Sequence, residues 1–453
     1  MTTAPPAPAG RPSIFERLLR VFGDVRGGES GTVLLLFANL FLLLLGYYVL
    51  KTVRDTLILT DPSGGAEVKA YASAGQALLL IGFVPLYSRV AARVDRVKLI
   101  FGMVAFYVVS IELFAAAIQG GVAYAVIAFY IWVGIFNLTS IALFWSYAND
   151  LYRLGVGERL FPVIAIGGTA GGLPGPKVVA WLFESGVRAS MMLQIAAVLL
   201  LVHVALYWVV NRREARQRHD QAAASREPVP PGNGFALVLA SPYLRLFALL
   251  LIVLNVVNTN GNYILDSTVL RIADAAAAAT PGLDRTAYVG SFVGNFAFYQ
   301  NVVVLLIQSL LVSRIVKYFG IRGVLMTLPL VALGTYGLAA AGIAFTYFRV
   351  LQVGKTLENA TDYSVMNTGK QMLWLPTSRA EKYQAKQAID GFFVRLGDLV
   401  SASLVFAFTA WALGPIGVAW ANVALIGLWI VVVGWIVRQY RALAAARSAA
   451  DAA

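Results

Sequence analysis

The sequence predicts an all-α membrane protein with twelve transmembrane helices in two six-helix halves. Of its 453 residues, 59% are hydrophobic and only 13% are charged, which is far from the balance of a soluble globular protein. The apolar residues form a dozen stretches, each close to the roughly 20 residues that a helix needs to cross a bilayer. Basic residues collect in alternate loops between those stretches.

The apolar stretches set the predicted spans. The first six cover residues 32–57, 68–87, 99–118, 122–147, 160–183 and 189–210. The last six cover residues 242–264, 288–312, 323–341, 342–363, 387–411 and 416–437.

The distribution of Lys and Arg predicts the orientation. Most of the 36 basic residues lie in the N-terminal segment, the C-terminal tail and the loops after even-numbered spans. The loops on the other side hold only Lys69, Arg188, Arg271 and Arg285. Basic residues resist translocation, so both termini are predicted to be cytoplasmic, and we expect a bacterial inner membrane. The net charge of +13 follows from this topology, and no nucleic-acid partner is predicted.

The chain divides at its longest internal hydrophilic segment. We predict a cytoplasmic N-terminal segment (1–31), a six-helix bundle (32–210), a cytoplasmic linker (211–235), a second bundle (236–437) and a cytoplasmic tail (438–453). The linker is rich in arginine and then in proline. Two such bundles around a central cavity are typical of major-facilitator carriers, which hold a small-molecule substrate near the membrane midplane.

Charged residues inside spans are the candidate functional residues, because each costs at least about 2.5–3.5 kcal/mol at the bilayer centre. The first span ends with Lys51, Arg54 and Asp55. Lys51 and Asp55 are four residues apart and can pair, which leaves Arg54 free to meet an anion. The alternative is that these side chains snorkel to the interface.

Span ten is the densest in charge. It carries Arg349, and its Lys355, Glu358 and Asp362 repeat every three or four residues and so form one polar stripe. Span eleven adds Arg395 and Asp398. Stripes of this kind face a bundle interior or water, and they are equally consistent with gating pairs and with substrate ligands.

Spans five and seven are notable for their glycine, proline and asparagine residues. Span five is rich in glycine and proline, a pattern that favours close helix packing and a kink, and it includes Lys177 as a candidate cavity cation. Span seven carries four asparagines, among them Asn262, followed by Asp266. This density of amides indicates a hydrated face.

The sequence predicts a protein that is not an enzyme. It contains no zinc cluster, catalytic triad or nucleotide-hydrolysis motif, and no cysteine. Neither a cofactor nor a metal site is expected.

Several segments resemble the nucleotide transporter family, the ATP/ADP antiporters of plastids and obligate intracellular bacteria. The resemblance runs in order along the chain and rests on these residues: 50–60, 144–149, 158–162, Ser241, 243–245, 288–296, Tyr363, Ser364, Lys370, Met372, Pro376, Lys386, 388–390 and 395–397. It implies a twelve-helix carrier of the major-facilitator type that exchanges ATP for ADP or moves related nucleotides without hydrolysis. The family's basic positions fall on Lys51, Arg54, Lys370, Lys386 and Arg395.

The chain also departs from that family's pattern. Val133 occupies a helix-four position that is usually acidic, and Asn262 replaces a helix-seven acid. Asp266 and Asp398 stand where the family often has lysine. Fewer cations and more carboxylates weaken the expectation of a highly charged triphosphate as substrate.

Three hypotheses follow. The first is a nucleotide or phosphorylated-anion exchanger that works by alternating access. Its substrate-binding residues are Lys51, Arg54, Lys177, Arg349, Lys355, Arg395 and Asn262, and its gating or proton-coupling residues are Asp55, Glu358, Asp362 and Asp398. The second is a proton-coupled carrier of another metabolite or lipid-like anion. The third is a non-transporting membrane scaffold.

Overall fold

The structure, a computed structural model, describes residues 29–152, 154–214, 234–378, 381 and 385–452. The regular elements in these ranges are all helices. Most of the predicted N-terminal segment and residues 215–233 of the predicted linker lie outside the described residues.

Twelve long helical segments follow one another along the described chain. The first six are α1 (Ser30–Thr60), α2 (Ala66–Arg93), α3 (Arg96–Gln119), α4 (Ala125–Leu151), α5 in two pieces (Leu154–Gly172 and Pro174–Glu184) and α6 (Ala189–Glu214). A short helix, Gly234–Ala240, precedes α7 (Pro242–Ala279), α8 (Arg285–Leu310) and α9 (Val312–Ala340). Three segments complete the chain: α10 (Ile343–Thr346, Phe348–Thr361, a π-helical Asp362–Met366 and Asn367–Leu373), α11 (Lys386–Ala388, a π-helical Ile389–Phe393 and Val394–Ala410) and α12 (Gly414–Ala452).

The helices are long and apolar enough for a multi-pass membrane protein. By length and composition, nine helices of the described chain can cross a bilayer. The other three segments are α2 and the interrupted α5 and α10, so a count of twelve crossings stays a prediction.

Small residues bring α1 and α5 into backbone contact. A Cβ atom at Gly167 or Gly171 would collide with the backbone of Phe37 or Phe41 on α1. Pro174 begins the second piece of α5, at a position where its missing N–H costs little. The glycine-rich run therefore serves close packing and a break in the helix, as the sequence predicts.

Several helices extend beyond the predicted spans, and three of them do so by ten residues or more at their C-terminal ends. The end of α7 is Ala279 rather than residue 264, α10 continues to Leu373 rather than 363, and α12 continues through Ala452 rather than ending at 437. The predicted spans cover only the apolar, membrane-crossing part of each helix, so a longer helix does not contradict them. A helix can leave the apolar layer and continue through alanine-rich sequence, since alanine has the highest helix propensity.

The chain folds into an N half (29–214) and a C half (234–452), which meet through a few helix pairs. The main pairs are α2 with α11 and α7, and α8 with α1 and α5, and α1 also touches α7. The ends of the bundle are here named by the chain: the linker face carries the start of α1, the end of α6 and the start of α7, and the distal face carries the end of α1 and the start of α2.

Polar contacts between described residues of the two halves run from mid-depth to the distal face. Towards that face, Glu184 of α5 accepts a hydrogen bond from Ser291 of α8 at 2.6 Å, and Thr409 of α11 donates to Glu67 of α2 at 3.2 Å. At mid-depth, Asn301 donates to the carbonyl of Gly172 at 3.0 Å. The halves are therefore joined at the distal face.

Candidate functional site

Charged side chains of both halves meet between mid-depth and the distal face. We call Lys51, Arg54, Asp55, Lys69 and Asp266 the inter-half cluster. The first three lie on the last three turns of α1, Lys69 lies in the first turn of α2, and Asp266 lies on α7. Because α1 ends and α2 begins at the distal face, chain direction alone brings the first four together.

Arg54 forms the ion pair on α1. Its Nη2 lies 2.9 Å from Asp55 Oδ1, and its Nε donates to the same oxygen at 3.0 Å. Its Cζ lies over the Tyr130 ring, 4.1 Å from the ring centroid. The predicted pairing of Lys51 with Asp55 is therefore wrong in this structure. The adjacent Arg54 guanidinium, which lies over the Tyr130 ring, pairs with the carboxylate instead.

Lys51 is consequently the cation without a carboxylate partner in the described part of the cluster. Its Nζ lies 5.6 Å from the centroid of the Tyr48 ring. Tyr47 of α1 and Tyr363 of α10 are also among its electrostatic neighbours, and the Tyr363 side chain is 55% exposed. A half-buried ammonium beside aromatic faces contributed by both halves is a suitable environment for an anion that carries a planar ring.

An ion pair crosses from one half to the other. Lys69 Nζ lies 3.0 Å from Asp266 Oδ2, with side chains only 16% and 10% exposed. Asp55 is a further electrostatic neighbour of Lys69. Lys69 therefore lies between a carboxylate of its own half and one of the other half.

Lys355 lies in the wall of the C half. It is fully buried, with its Nζ 3.2 Å from Glu358 Oε2 and 3.1 Å from the carbonyl of Asn258. Tyr336 donates a hydrogen bond to the same glutamate. In this structure the pair is enclosed by α7, α9 and α10, so Lys355 can reach a substrate only if that packing opens.

The remaining charged residues of α10 and α11 form local pairs. Asp362 accepts from Lys370 at 3.1 Å. Asp398 lies 3.4 Å from Arg395 and also accepts from Asn255 at 2.8 Å and Thr259 at 3.0 Å. These pairs hold each carboxylate within the C half, and Arg395 remains one-third exposed.

Amide side chains form a chain between helices of the C half. Gln300 of α8 accepts from Asn359 at 2.7 Å, Asn359 accepts from Asn258 at 3.3 Å, and Asn258 accepts from Asn262 at 3.3 Å. Asn262 precedes Asp266 by one helical turn, so it lies next to the inter-half cluster along α7.

Two predicted binding residues lie apart from the cluster. Lys177 is exposed on α5 and donates to Asn295 of α8 at 2.7 Å, which places it at the contact between halves. Arg349 is exposed in the first turn of the second α10 piece, near the distal face. The structure does not bring either cation next to Lys51.

Sequence reasoning missed two members of the cluster. Lys69 was counted with a loop, and Asp266 was placed just beyond span seven. A signal was present: Lys69 lies just inside the predicted second span, where a charged side chain is costly unless it has a partner. Pairing it with a residue almost 200 positions away requires the tertiary structure.

Comparison with known proteins decides the family. The model of the family described as "TLC ATP/ADP transporter" matches residues 11–121 and 117–440. This chain belongs to the TLC ATP/ADP transporter family. It is thus a multi-pass integral membrane transporter.

Three relatives of this transporter carry the name ADP,ATP carrier protein. The ADP,ATP carrier protein 1 of Chlamydia trachomatis is 23% identical over 84% of this chain and 83% of its own length. The ADP,ATP carrier protein 2 of the same organism is 23% identical over 94% of this chain and 92% of its own length. The ADP,ATP carrier protein 4 of Rickettsia bellii is 21% identical over 60% of this chain and 57% of its own length.

Solved structures share the fold of this transporter. The nucleoside transporter NupG superposes with a TM-score of 0.61 at 18% identity and covers 91% of this chain and 98% of its own. A peptide transporter POT in complex with sulfate superposes with a TM-score of 0.61 at 12% identity and covers 95% and 99%. The major-facilitator architecture predicted from the sequence is therefore confirmed.

Proposed function

We propose that this transporter exchanges ATP, ADP or closely related nucleotides across the membrane by alternating access. The observation that carries the proposal is Lys51, a half-buried cation without a carboxylate partner in the described chain, beside the Arg54–Asp55 pair between the halves. The names of the chlamydial and rickettsial relatives support the choice of substrate.

The phosphates bind first to Lys51, which supplies a point charge, and then to Arg54, whose guanidinium can bind two oxygens at once. Tyr48 and Tyr363 supply aromatic faces for the base, since stacking tolerates any base. Arg395 and Asn262 line the approach from the C half. Direct contacts from Lys177, Arg349 and Lys355 require other states of the cycle.

We infer that substrate enters this state from the linker face, because the polar contacts between described residues of the two halves lie from mid-depth to the distal face. We assign that face to the cytoplasm, with both termini on that side, because the basic loops lie there, and we assign the membrane to the bacterial inner membrane. The distal face is the extracytoplasmic gate, in which the Lys69–Asp266 pair joins the halves.

Exchange follows from competition for one carboxylate. When a phosphate takes Arg54, Asp55 loses its partner and competes with Asp266 for Lys69, which weakens the distal gate. Without a bound anion, Arg54 holds Asp55 and the gate stays closed. The carrier then changes state mainly when loaded, since a ligand shifts an equilibrium only through different affinities for the two states.

Transport leaves the nucleotide intact in this proposal, and the protein is not an enzyme. The driving force is the nucleotide gradient, and no cofactor takes part. Release of inorganic phosphate during labelled ATP uptake measures this directly, and stoichiometric release would contradict it.

The central experiment uses purified protein in liposomes loaded with unlabelled ADP. We expect uptake of labelled ATP to be fast in loaded liposomes and slow in empty ones. Lys51→Gln should reduce uptake, whereas Lys98→Gln, at an exposed position on the linker face, should not. Absence of uptake for every nucleotide tested, by protein shown to be folded and inserted, would overturn the proposal.

A second candidate function is proton-coupled transport of another metabolite or lipid-like anion. It is favoured by Glu358, a buried carboxylate bonded to Tyr336 and Lys355, because a proton can neutralise such a group during a cycle. Uptake driven by an imposed pH gradient, and abolished in Glu358→Gln or Asp362→Asn, would select this candidate. The scaffold hypothesis is not retained, since the family consists of transporters.

A further inference from the structure

A groove on the linker-face side of the C half lies away from the inter-half cluster. It has a volume of about 550 Å³ between α7 and α12. Its lining residues are Pro242, Arg245, Leu246, Leu249, Trp435, Arg438, Gln439 and Ala442.

The two walls of the groove have the same spacing. On each helix the lining positions follow one another at intervals of three, one and three residues, which places them on one helical face. The helices run in opposite directions, because α7 starts at the linker face and α12 ends there. Arg245 therefore faces the level of Arg438 and Gln439, while Leu249 faces the level of Trp435.

The groove is layered along the membrane normal. Pro242 and Ala442 form its outer rim, the two arginines come next, and Leu246, Leu249 and Trp435 lie deepest. At 1.5 Å per residue, Leu249 lies about 6 Å deeper than Arg245. A charged level above an apolar level matches a phospholipid, whose phosphate lies at the interface and whose acyl chains point inwards.

Two arginines line one groove without a carboxylate. Both are exposed, the lining includes no acidic residue, and neither guanidinium has an ion pair with another residue of the described chain. Arginines at a membrane surface can simply snorkel. Two arginines at one level, above a concave apolar surface, instead fit one anionic phosphate group that carries an acyl chain.

We propose that this groove, on the faces of α7 and α12 that contain Arg245 and Arg438, binds an anionic phospholipid. The phosphate contacts both guanidiniums, Gln439 donates to the glycerol or headgroup oxygens, and an acyl chain lies along Leu246, Leu249 and Trp435. Basic pockets between membrane helices recognise acidic headgroups in this way. The site is independent of the proposed transport function.

The test measures lipid retention by native mass spectrometry of protein released from nanodiscs that contain equal amounts of phosphatidylglycerol and phosphatidylcholine. We expect the unmodified protein to retain phosphatidylglycerol selectively. The double variant Arg245→Gln/Arg438→Gln should reduce that selectivity about 30-fold. The matched control is Arg89→Gln/Arg322→Gln, which removes two exposed arginines near the linker face outside the groove and should leave retention unchanged.

A second variant distinguishes the contribution of the acyl chain to binding from that of the headgroup. Trp435 is 56% exposed, so Trp435→Ala should fold, and it should weaken retention while the charge is kept. Equal retention by the double variant and the control would overturn the proposal. It would also be overturned if inorganic phosphate or glycerol phosphate at millimolar concentration displaced the lipid completely, because the groove would then be a small-anion site.

Discussion

At the scale of single residues, partners decide what a charge can do. Arg54 and Lys51 lie on the same helix, yet Arg54 is held by Asp55 and Tyr130, whereas Lys51 lies beside aromatic rings and forms no ion pair with a described carboxylate. The free cation is the better first contact for phosphate, because no ion pair must be broken to use it. The paired cation, Arg54, can then couple phosphate binding to the rest of the cluster, because it releases Asp55 when it contacts the phosphate.

The first prediction concerns Lys51. Replacement by Gln removes a charge-assisted hydrogen bond worth about 1.5–3 kcal/mol, so nucleotide affinity should fall on the order of tenfold to a hundredfold. Isothermal titration with ADP measures this. Lys51→Arg should recover most of the affinity, and a Gln variant that binds as tightly as the unmodified protein would remove Lys51 from the site.

The second prediction concerns the buried pair of the C half. Lys355→Met leaves Glu358 buried without its cation and should destabilise the fold by about 3–5 kcal/mol. The double variant Lys355→Met/Glu358→Gln should regain most of that loss, because no unpaired charge remains. Chemical unfolding in detergent compares the two. Equal stability of the single variant and the unmodified protein would mean that the pair is solvated and open to substrate.

At the scale of elements, glycines set how closely α1 can approach α5. This contact matters for function, because α1 carries three residues of the inter-half cluster. A shift of α1 away from α5 moves Lys51, Arg54 and Asp55 together. Packing in the N half thereby fixes the position of the proposed site.

The third prediction tests that contact. Gly171→Ala places a methyl group against the backbone of Phe41, which should cost about 1–3 kcal/mol of stability and also lower nucleotide affinity. Gly102→Ala is the matched control, because a Cβ there meets nothing within 4 Å. Thermal unfolding and ADP titration measure both effects. If the two alanine variants behave alike, close packing does not position α1.

At the scale of the whole molecule, the two halves are joined through a small set of polar contacts near the distal face. One of these contacts is the ion pair of Lys69 with Asp266, whose side chains are largely buried. A pair that links two rigid bodies can bias their relative position by about 1–3 kcal/mol. A bias of this size is enough to make nucleotide exchange much faster than uptake without a counter-substrate.

The fourth prediction follows for Asp266→Asn. Loss of the pair should permit uptake into liposomes without internal nucleotide, and lower the ratio of exchange to such uptake about 5- to 150-fold. The exchanged pair Lys69→Asp/Asp266→Lys should restore coupling in part. Asp284→Asn is the control, because this distal-face carboxylate accepts from the backbone N–H groups of Thr286 and Ala287 within the C half.

A distance measurement checks the same prediction without transport. The chain contains no cysteine, so spin labels can be introduced in pairs without further changes. Labels at Val122 and Tyr347, near the distal face, should move apart in Asp266→Asn, while labels at Val94 and Tyr318, on the linker face, should approach. Unchanged distances in both pairs would show that the ion pair does not hold the gate.

The amino-acid sequence alone was enough to give the class of the protein and its candidate charged residues, and it predicted the spans. The length of an apolar stretch and the charge of a loop are local properties. A charge in hydrocarbon is costly whatever the tertiary structure, so Lys51, Arg54 and Glu358 are candidate functional residues from the sequence alone. Helix periodicity also grouped Lys355 with Glu358 correctly. Apolar length predicts the membrane-crossing part of a helix and not where the helix ends beyond the membrane, which is why α7 and α12 continue past the predicted spans.

Only the tertiary structure decided which charges meet. It replaced Lys51 by Arg54 as the partner of Asp55, enclosed Lys355, left Lys177 and Arg349 apart, and joined Lys69 to Asp266 across nearly 200 residues of sequence. The physical reason is that an ion pair depends on distance and desolvation in space. Both are set by how the two halves pack, and no spacing along the chain contains that information.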